Sequence, residues 1–226
     1  MIGVLDYGMG NISSVTNVLN FLEAENMIIS EKVQFNLISH LIIPGVGAFA
    51  RAIENIEERG FLEPIREFAN SGQPVLGICL GMQLLADKGT EPYDCYGLGL
   101  VAGTVILMKS QDLRIPHMGW NGIRILQDHA VLEAIKKTAD FYFVHSFRFV
   151  AKDDKNIIAL TDYGEEFPSI ISNDAGNVMG IQFHPEKSQK QGLKILRNFI
   201  NLTNAQTALD THFAPEKWPD GKGYSI

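Results

Sequence analysis

The sequence predicts an α/β fold in which a central, mostly parallel sheet is flanked by helices and extended by antiparallel strands. Three observations predict it. Short apolar runs alternate with amphipathic stretches through the first half of the chain, a glycine-rich turn follows three of those runs, and from about Gly97 onward the pattern becomes β-rich and broken by turn residues.

Residues 2–5, 41–43 and 75–79 read as strands, because each is a short apolar run bounded by turn residues, as strands buried on both faces are. Residues 12–22, 53–68 and 82–86 read as the intervening helices. Gly8-Met9-Gly10-Asn11, Pro44-Gly45-Val46-Gly47 and the Gly77 to Gly81 stretch then fall at strand carboxyl ends, where open α/β sheets bind ligands. In the second half, residues 98–108, 122–126, 141–150 and 157–160 are β-rich, and Asn173-Asp174-Ala175-Gly176-Asn177 separates 168–172 from 178–183 as a hairpin turn does. Leu193, Leu196 and Ile200 recur at helical spacing and predict a closing helix. Residues 1–202 form one expected domain, and residues 203–226, aperiodic and rich in Pro and Gly, read as a C-terminal extension.

Composition narrows the function. At 226 residues and 46% hydrophobic, the chain can bury one large core, and 20% charged residues with no apolar run near the roughly 20 residues of a bilayer span argue against both disorder and a membrane protein. The net charge of -7, with Lys136-Lys137 the densest cationic stretch, argues against nucleic acid as the main ligand. The chain opens on a strand-like run without signal-peptide character and has two cysteines, Cys79 and Cys95. A cytoplasmic, reducing setting is expected, in which a cysteine is reactive or buried rather than disulfide-bonded.

Gly77-Ile78-Cys79-Leu80-Gly81 joins a predicted strand to a predicted helix with a cysteine at the bend, a nucleophile elbow. Flanking glycines suit a turn too crowded for a Cβ. Free N–H groups at a helix amino terminus stabilise a thiolate, and the N–H of Leu80 is placed for a tetrahedral oxyanion. Cys95, in Tyr93-Asp94-Cys95-Tyr96, lacks that setting and reads as structural. About a hundred residues later, His184-Pro185-Glu186 ends an apolar strand. In extended chain, residues i and i+2 share a side, so imidazole and carboxylate project together, with Pro185 stiffening the link. A carboxylate on one ring nitrogen leaves the other to exchange a proton with the thiol. His40, His129 and His212 carry no such context. Each motif alone has a plainer reading: Cys79 as a small buried hydrophobe, His-Pro-Glu as a surface turn, Gly45 and Gly47 as an ordinary loop, Gln83 as a helix surface residue, Trp120 as a core aromatic.

Three separated motifs agree: Pro44-Gly45-Val46-Gly47-Ala48-Phe49, Gly77-Ile78-Cys79-Leu80-Gly81-Met82-Gln83 and Gln182-Phe183-His184-Pro185-Glu186-Lys187-Ser188. Together they resemble the triad, or class-I, glutamine amidotransferases, which have a flavodoxin-like fold. Asp6-Tyr7-Gly8-Met9-Gly10-Asn11, Ile115-Pro116-His117-Met118-Gly119-Trp120-Asn121 and Val144-His145-Ser146-Phe147 are most similar to the glutaminase subunits of imidazole glycerol phosphate synthase. The resemblance implies that Cys79 forms a glutamyl thioester, His184 moves protons and Glu186 orients His184. It further implies that Gly47, Gln83 and the His145-Ser146-Phe147 backbone hold L-glutamine, that Gly45 to Gly47 and Leu80 form the oxyanion hole, and that no metal or cofactor takes part. Asn11, Trp120, Asn121 and Lys187 would face a (β/α)8-barrel cyclase that uses the ammonia to make imidazole glycerol phosphate and AICAR in histidine biosynthesis, the two subunits forming a heterodimer.

Two features depart from the family pattern: Asn11-Ile12-Ser13-Ser14-Val15 lacks the usual basic residue, and the chain continues past its closing helix. They leave open a paralogous glutaminase that feeds amidino-sugar synthesis for surface polysaccharides. A catalytically silent regulatory module on the same fold is a reading of another class, expected where a triad residue is replaced; Cys79, His184 and Glu186 are all present.

Overall fold

The computed structural model describes residues 1–109 and 113–203; of the expected C-terminal extension, residues 204–226 lie outside the described residues. The first half runs β1 (Ile2–Leu5), α1 (Ile12–Phe21), β2 (Asn26–Ile29), β3 (His40–Gly45), α2 (Phe49–Glu58), α3 (Leu62–Asn70), β4 (Val75–Cys79) and α4 (Leu80–Leu84). The second runs β5 (Lys88–Gly89), β6 (Cys95–Tyr96), β7 (Gly103–Leu107), β8 (His117–Gly122), β9 (Arg124–Ile125), β10 (Asp140–His145), β11 (Phe147–Ala151), β12 (Ile157–Asp162), β13 (Glu166–Ser172), β14 (Val178–Ile181) and α5 (Gln189–Ile200).

The main sheet has eight strands in the order β2-β1-β3-β4-β14-β13-β12-β9. From β2 to β14 every neighbour is parallel, and β13, β12 and β9 add on antiparallel. β10 pairs with β8, while β11, β7, β5 and β6 form a small separate sheet. This is the expected architecture, including the hairpin of β13 and β14 across residues 173–177.

Three sequence expectations change in detail, and one strand carried no expectation. The stretch 53–68 is two helices, because Gly60 takes a left-handed φ of 66° and ends α2 with its N–H on the Glu57 carbonyl. The apolar period carries across the break, since Phe61 and Ile65 enter the same core as Ile53 and Ile56. The run 141–150 is likewise two strands: β10 and β11 separate at Ser146 and join different sheets. Residues 98–108 become strand only from Gly103, and β2 has no clear signal in the sequence because it is an edge strand with Ile29 alone fully buried.

Strand alternation builds two cores, one on each face of the sheet. Leu5, Leu41, Ile43 and Val75 meet α2, α3 and α4 on one face; Ile2, Val4, Ile42, Leu76 and Ile78 meet α1, α5 and β10 on the other. Where β4 turns into α4, backbone lies on backbone. A Cβ on Gly81 would stand 1.7 Å from the Ile43 carbonyl oxygen, and one on Gly77 would stand 2.4 Å from the Gly81 oxygen. Both contacts are with main chain, which cannot swing away as a side chain can. We therefore expect Gly81→Ala to cost about 3 kcal/mol or more, or to abolish soluble expression, whereas Gly122→Ala, whose new Cβ would meet its nearest neighbour at 3.5 Å, stays within about 0.5 kcal/mol of the parent. Denaturant unfolding of the two variants checks this.

Candidate active site

The site forms where β3, β4 and β14 end. Gly45 on β3 registers with Cys79 on β4, and Ile78 registers with Ile181 on β14, so Cys79 lies between the Gly45 loop and the segment that leads to His184. At Cys79 the backbone takes φ 55° and ψ -109°, a left-handed conformation that costs a residue with a Cβ roughly 1–3 kcal/mol. The consequence is directional. Alternation would send Cys79 to the face of Val75, but its side chain joins Leu76, Ile78, Phe141, Phe143 and Phe183 on the opposite face, the one that carries His184. Cys79 also caps α4, leaving the Leu80 N–H at the first helical position, where a helix supplies no acceptor of its own.

His184 and Glu186 meet as expected, with His184 Nδ1 and Glu186 Oε1 2.8 Å apart and both side chains buried. The local geometry differs from the sequence reading. β14 ends at Ile181, His184 is extended, and residues 185–187 form a single 3-10 turn opened by Pro185. It is this turn, with proline's preset φ at its start, that brings Glu186 back onto the ring, rather than strand alternation. β10 grips the same segment: the His184 N–H donates to the Tyr142 carbonyl, the Tyr142 N–H donates to Ser188 Oγ, and Ser188 Oγ–H donates to the His184 carbonyl at 2.6 Å.

The other ring nitrogen, His184 Nε2, is buried without a hydrogen bond of ordinary geometry and interacts with the Cys79 side chain. Burial alone would lower the His184 pKa. The interaction with Cys79, the Glu186 hydrogen bond and the negative charge of both outweigh burial, and the ring is pushed up to about 10. Its two neighbours thus favour the protonated form of His184.

The remaining predicted residues sort into those drawn together and those only brought near. Gly45 is pressed against Tyr7 and Leu80: an added Cβ would meet the Tyr7 hydroxyl at 2.5 Å and Leu80 Cβ at 2.8 Å. Gly47 has φ 108°, open to glycine, while the Val46 side chain beside it is exposed. Gln83 is buried and its Nε2 donates both to the Phe147 carbonyl at 3.0 Å and to Gln182 Oε1 at 3.1 Å. His145 is buried, with Nδ1 2.8 Å from the Phe147 carbonyl, and the Ser146 carbonyl accepts from the Met108 N–H, so the carbonyls of this segment are engaged within the chain. Trp120 is exposed and stacks edge-on with Tyr142, whose ring lies 5.9 Å from Lys187 Nζ; Asn121 donates to the Asp162 carbonyl. Asn11 precedes α1, which packs near the 185–187 turn.

Two residues near the sulfur carried no predicted role. Tyr7 is fully buried, donates to the Pro44 carbonyl at 2.8 Å, and has its pKa raised by burial and then by the charge of Cys79. Gln182, also fully buried, lies with Nε2 3.8 Å from Cys79 Sγ. The signal for Gln182 was legible: an uncharged amide inside the apolar run that leads to His184 has to find partners in the core. Among the described residues no group of three or more His, Cys, Asp or Glu side chains could hold a metal ion, and no helix is long and apolar enough to cross a membrane.

The family described as glutamine amidotransferase class-I matches residues 4–202. A Sulfurimonas denitrificans protein named imidazole glycerol phosphate synthase subunit HisH is 44% identical over 208 residues, covering 90% of this chain and 99% of the relative. An Aquifex aeolicus protein of the same name is 44% identical over 199 residues, covering 87% of this chain and 94% of that one. Among solved structures, one titled as the structure of PurLQS from Thermotoga maritima superposes with a TM-score of 0.71 at 20% identity, over 88% of this chain and 97% of that one, a likeness of fold alone.

Burial holds His145 down to about 3, the Phe147 hydrogen bond working the other way and the nearby His117 and His184 rings with it. An unfolded histidine titrates near 6.5. Between those two values the unfolded chain binds more protons than the folded one, so stability falls as pH falls, by at most about 1.4 kcal/mol per pH unit from this group. Denaturant midpoints measured from pH 7 down to pH 4 should fall, and the fall should be shallower in His145→Gln, the lowered values of His40, His117 and His129 keeping a slope of the same sign.

Proposed function

This chain belongs to the class-I glutamine amidotransferase family, and from that premise we propose that it is the glutaminase subunit of an imidazole glycerol phosphate synthase, acting through Cys79, His184 and Glu186. The observation that carries the reading is the left-handed elbow that turns the Cys79 sulfur to the His184 face, together with the 2.8 Å His184–Glu186 contact behind it. The names of the relatives support the pathway.

The chemistry follows from charge. The Cys79 thiolate attacks the side-chain carboxamide carbon of glutamine, and the oxygen takes up negative charge toward the Leu80 N–H and the Gly45 to Gly47 backbone. His184, already protonated beside the thiolate, gives its proton to the departing nitrogen; the C–N bond breaks, ammonia leaves, and a glutamyl thioester remains. Neutral His184 then takes a proton from water, whose oxygen displaces the sulfur and releases glutamate. Glu186 keeps Nδ1 protonated and steadies the imidazolium in both steps. Gln83 and the 145–147 segment hold the glutamine. The ammonia passes to a (β/α)8-barrel cyclase docked over Asn11, Trp120, Asn121 and Lys187, giving imidazole glycerol phosphate and AICAR in the cytoplasm.

Labelling by the glutamine analogue 6-diazo-5-oxonorleucine should attach one equivalent to Cys79 and vanish in Cys79→Ala; labelling that persists overturns the mechanism. In the complex with its barrel partner, Glu186→Gln should lower kcat at least about 100-fold with little change in KM, because orientation and charge stabilisation are lost while binding is kept. The isolated chain should turn over glutamine about 100-fold or more slowly than the complex if the Gly45 to Gly47 loop completes its oxyanion donors only on docking. Growth of a histidine-requiring strain that lacks this subunit, restored by the gene, separates the histidine pathway from sugar amidination.

A further inference from the structure

We propose that Gln182 is a positioning residue for the nucleophile: its amide N–H donates to the Cys79 sulfur and favours the thiolate, and a chain of hydrogen bonds anchored on the Phe147 carbonyl sets the direction of that amide. The proposal rests on Cys79 being the nucleophile.

The direction follows from donor and acceptor counting. The Phe147 carbonyl can only accept. It faces Gln83 Nε2 at 3.0 Å and His145 Nδ1 at 2.8 Å, so both of those nitrogens carry the protons. With its amide oriented by that carbonyl, Gln83 presents the second N–H of the same nitrogen to Gln182, which must answer with Oε1, 3.1 Å away. The other end of the Gln182 amide is then Nε2, a donor, and it points at Cys79 Sγ across 3.8 Å. On the other branch, His145 donating from Nδ1 leaves Nε2 as an acceptor, so the proton in the 3.0 Å contact belongs to His117 Nδ1. Burial lowers the pKa of both rings, so both stay neutral and the pattern persists around neutral pH. One carbonyl thereby sets the polarity of four side chains, all buried.

The sulfur lies between opposing preferences. The Val144 carbonyl, 3.7 Å from Sγ, accepts from a thiol and so favours the protonated form. Gln182 Nε2 and protonated His184 favour the thiolate. The other titratable groups around it are Glu186 behind His184, Tyr7 from the loop after β1, and His145 from β10. The Tyr7 hydroxyl is committed to Pro44 and its pKa is raised, and His145 is held neutral, so neither changes charge through the neutral range. Removing the Gln182 donor leaves the Val144 acceptor unopposed by any uncharged group on this chain of bonds.

The test is the pH dependence of Cys79 alkylation by iodoacetamide in the full chain carrying Cys95→Ser, followed by mass spectrometry. Gln182→Met keeps the volume and removes the donor. The alkylation midpoint should rise by about one pH unit, the worth of one hydrogen bond to a charged group. Gln83→Met, which keeps Gln182 but removes the group that orients it, should shift the midpoint in the same direction by less, and it decides the matter should Gln182→Met fail to fold. A merely structural role would lower the melting temperature of either variant and leave the midpoint in place; an unmoved midpoint in the folded variants overturns the proposal. Failure of the parent to alkylate at Cys79 at any pH overturns the nucleophile assignment itself, and this proposal with it.

Discussion

The left-handed backbone at Cys79 is the constraint on which the rest of the site depends. A residue in β4 with ordinary strand geometry would bury its sulfur under α2, α3 and α4, away from any base. The turn to φ 55° reverses that, and it is possible only because the chain after it folds back directly onto β3 and β4. Gly77 and Gly81 permit that approach, since their missing Cβ atoms leave room for main chain to touch main chain. The strain at one residue is thus held by a packed layer of sheet and helix, the arrangement in which a costly conformation persists.

Around that bend the protein buries a cluster of polar side chains and satisfies most of their polar atoms. His184, Glu186, Gln83, Gln182, His145 and His117 have buried side chains, and each makes at least one internal hydrogen bond. Unpaired, any of them would cost several kcal/mol of desolvation. Among the described residues, the buried atoms without a hydrogen bond of ordinary geometry include His184 Nε2 and Glu186 Oε2, one on each side of the His184–Glu186 contact. Polar groups inside the core therefore divide into those that hold direction, such as the Phe147 carbonyl with its two donors, and those left without a partner.

The small elements of the second half explain how the fold serves the site. β10 belongs to a two-stranded ribbon with β8, and that ribbon reaches from the exposed Trp120 to the grip of Tyr142 on His184 and Ser188. Trp120, Tyr142 and Lys187 form one surface cluster that includes a residue of the 185–187 turn. The exposed Trp120 surface and the segment that carries His184 are in this way parts of one hydrogen-bonded unit.

By itself the sequence determined the alternation of strands and helices, the glycine loops after β1, β3 and β4, the elbow at Cys79 and the pairing of His184 with Glu186. All of these are local: apolar period, turn residues and short spacings specify them within a few residues. Less local features were missed or misread, such as the break at Gly60 inside one continuous apolar period and the parting of β10 from β11 at Ser146, because pattern alone does not say which sheet a strand joins. Only the tertiary structure decided which face the Cys79 sulfur takes, that the His184–Glu186 contact is made by a 3-10 turn rather than by strand alternation, and that the chain of contacts from the Phe147 carbonyl through Gln83 and Gln182 ends on the Cys79 sulfur. Gln83 and Gln182 are 99 positions apart in the chain, and contacts between residues so distant are set by the pairing of β4 with β14 and the packing of β10 over them, which no short window of sequence contains.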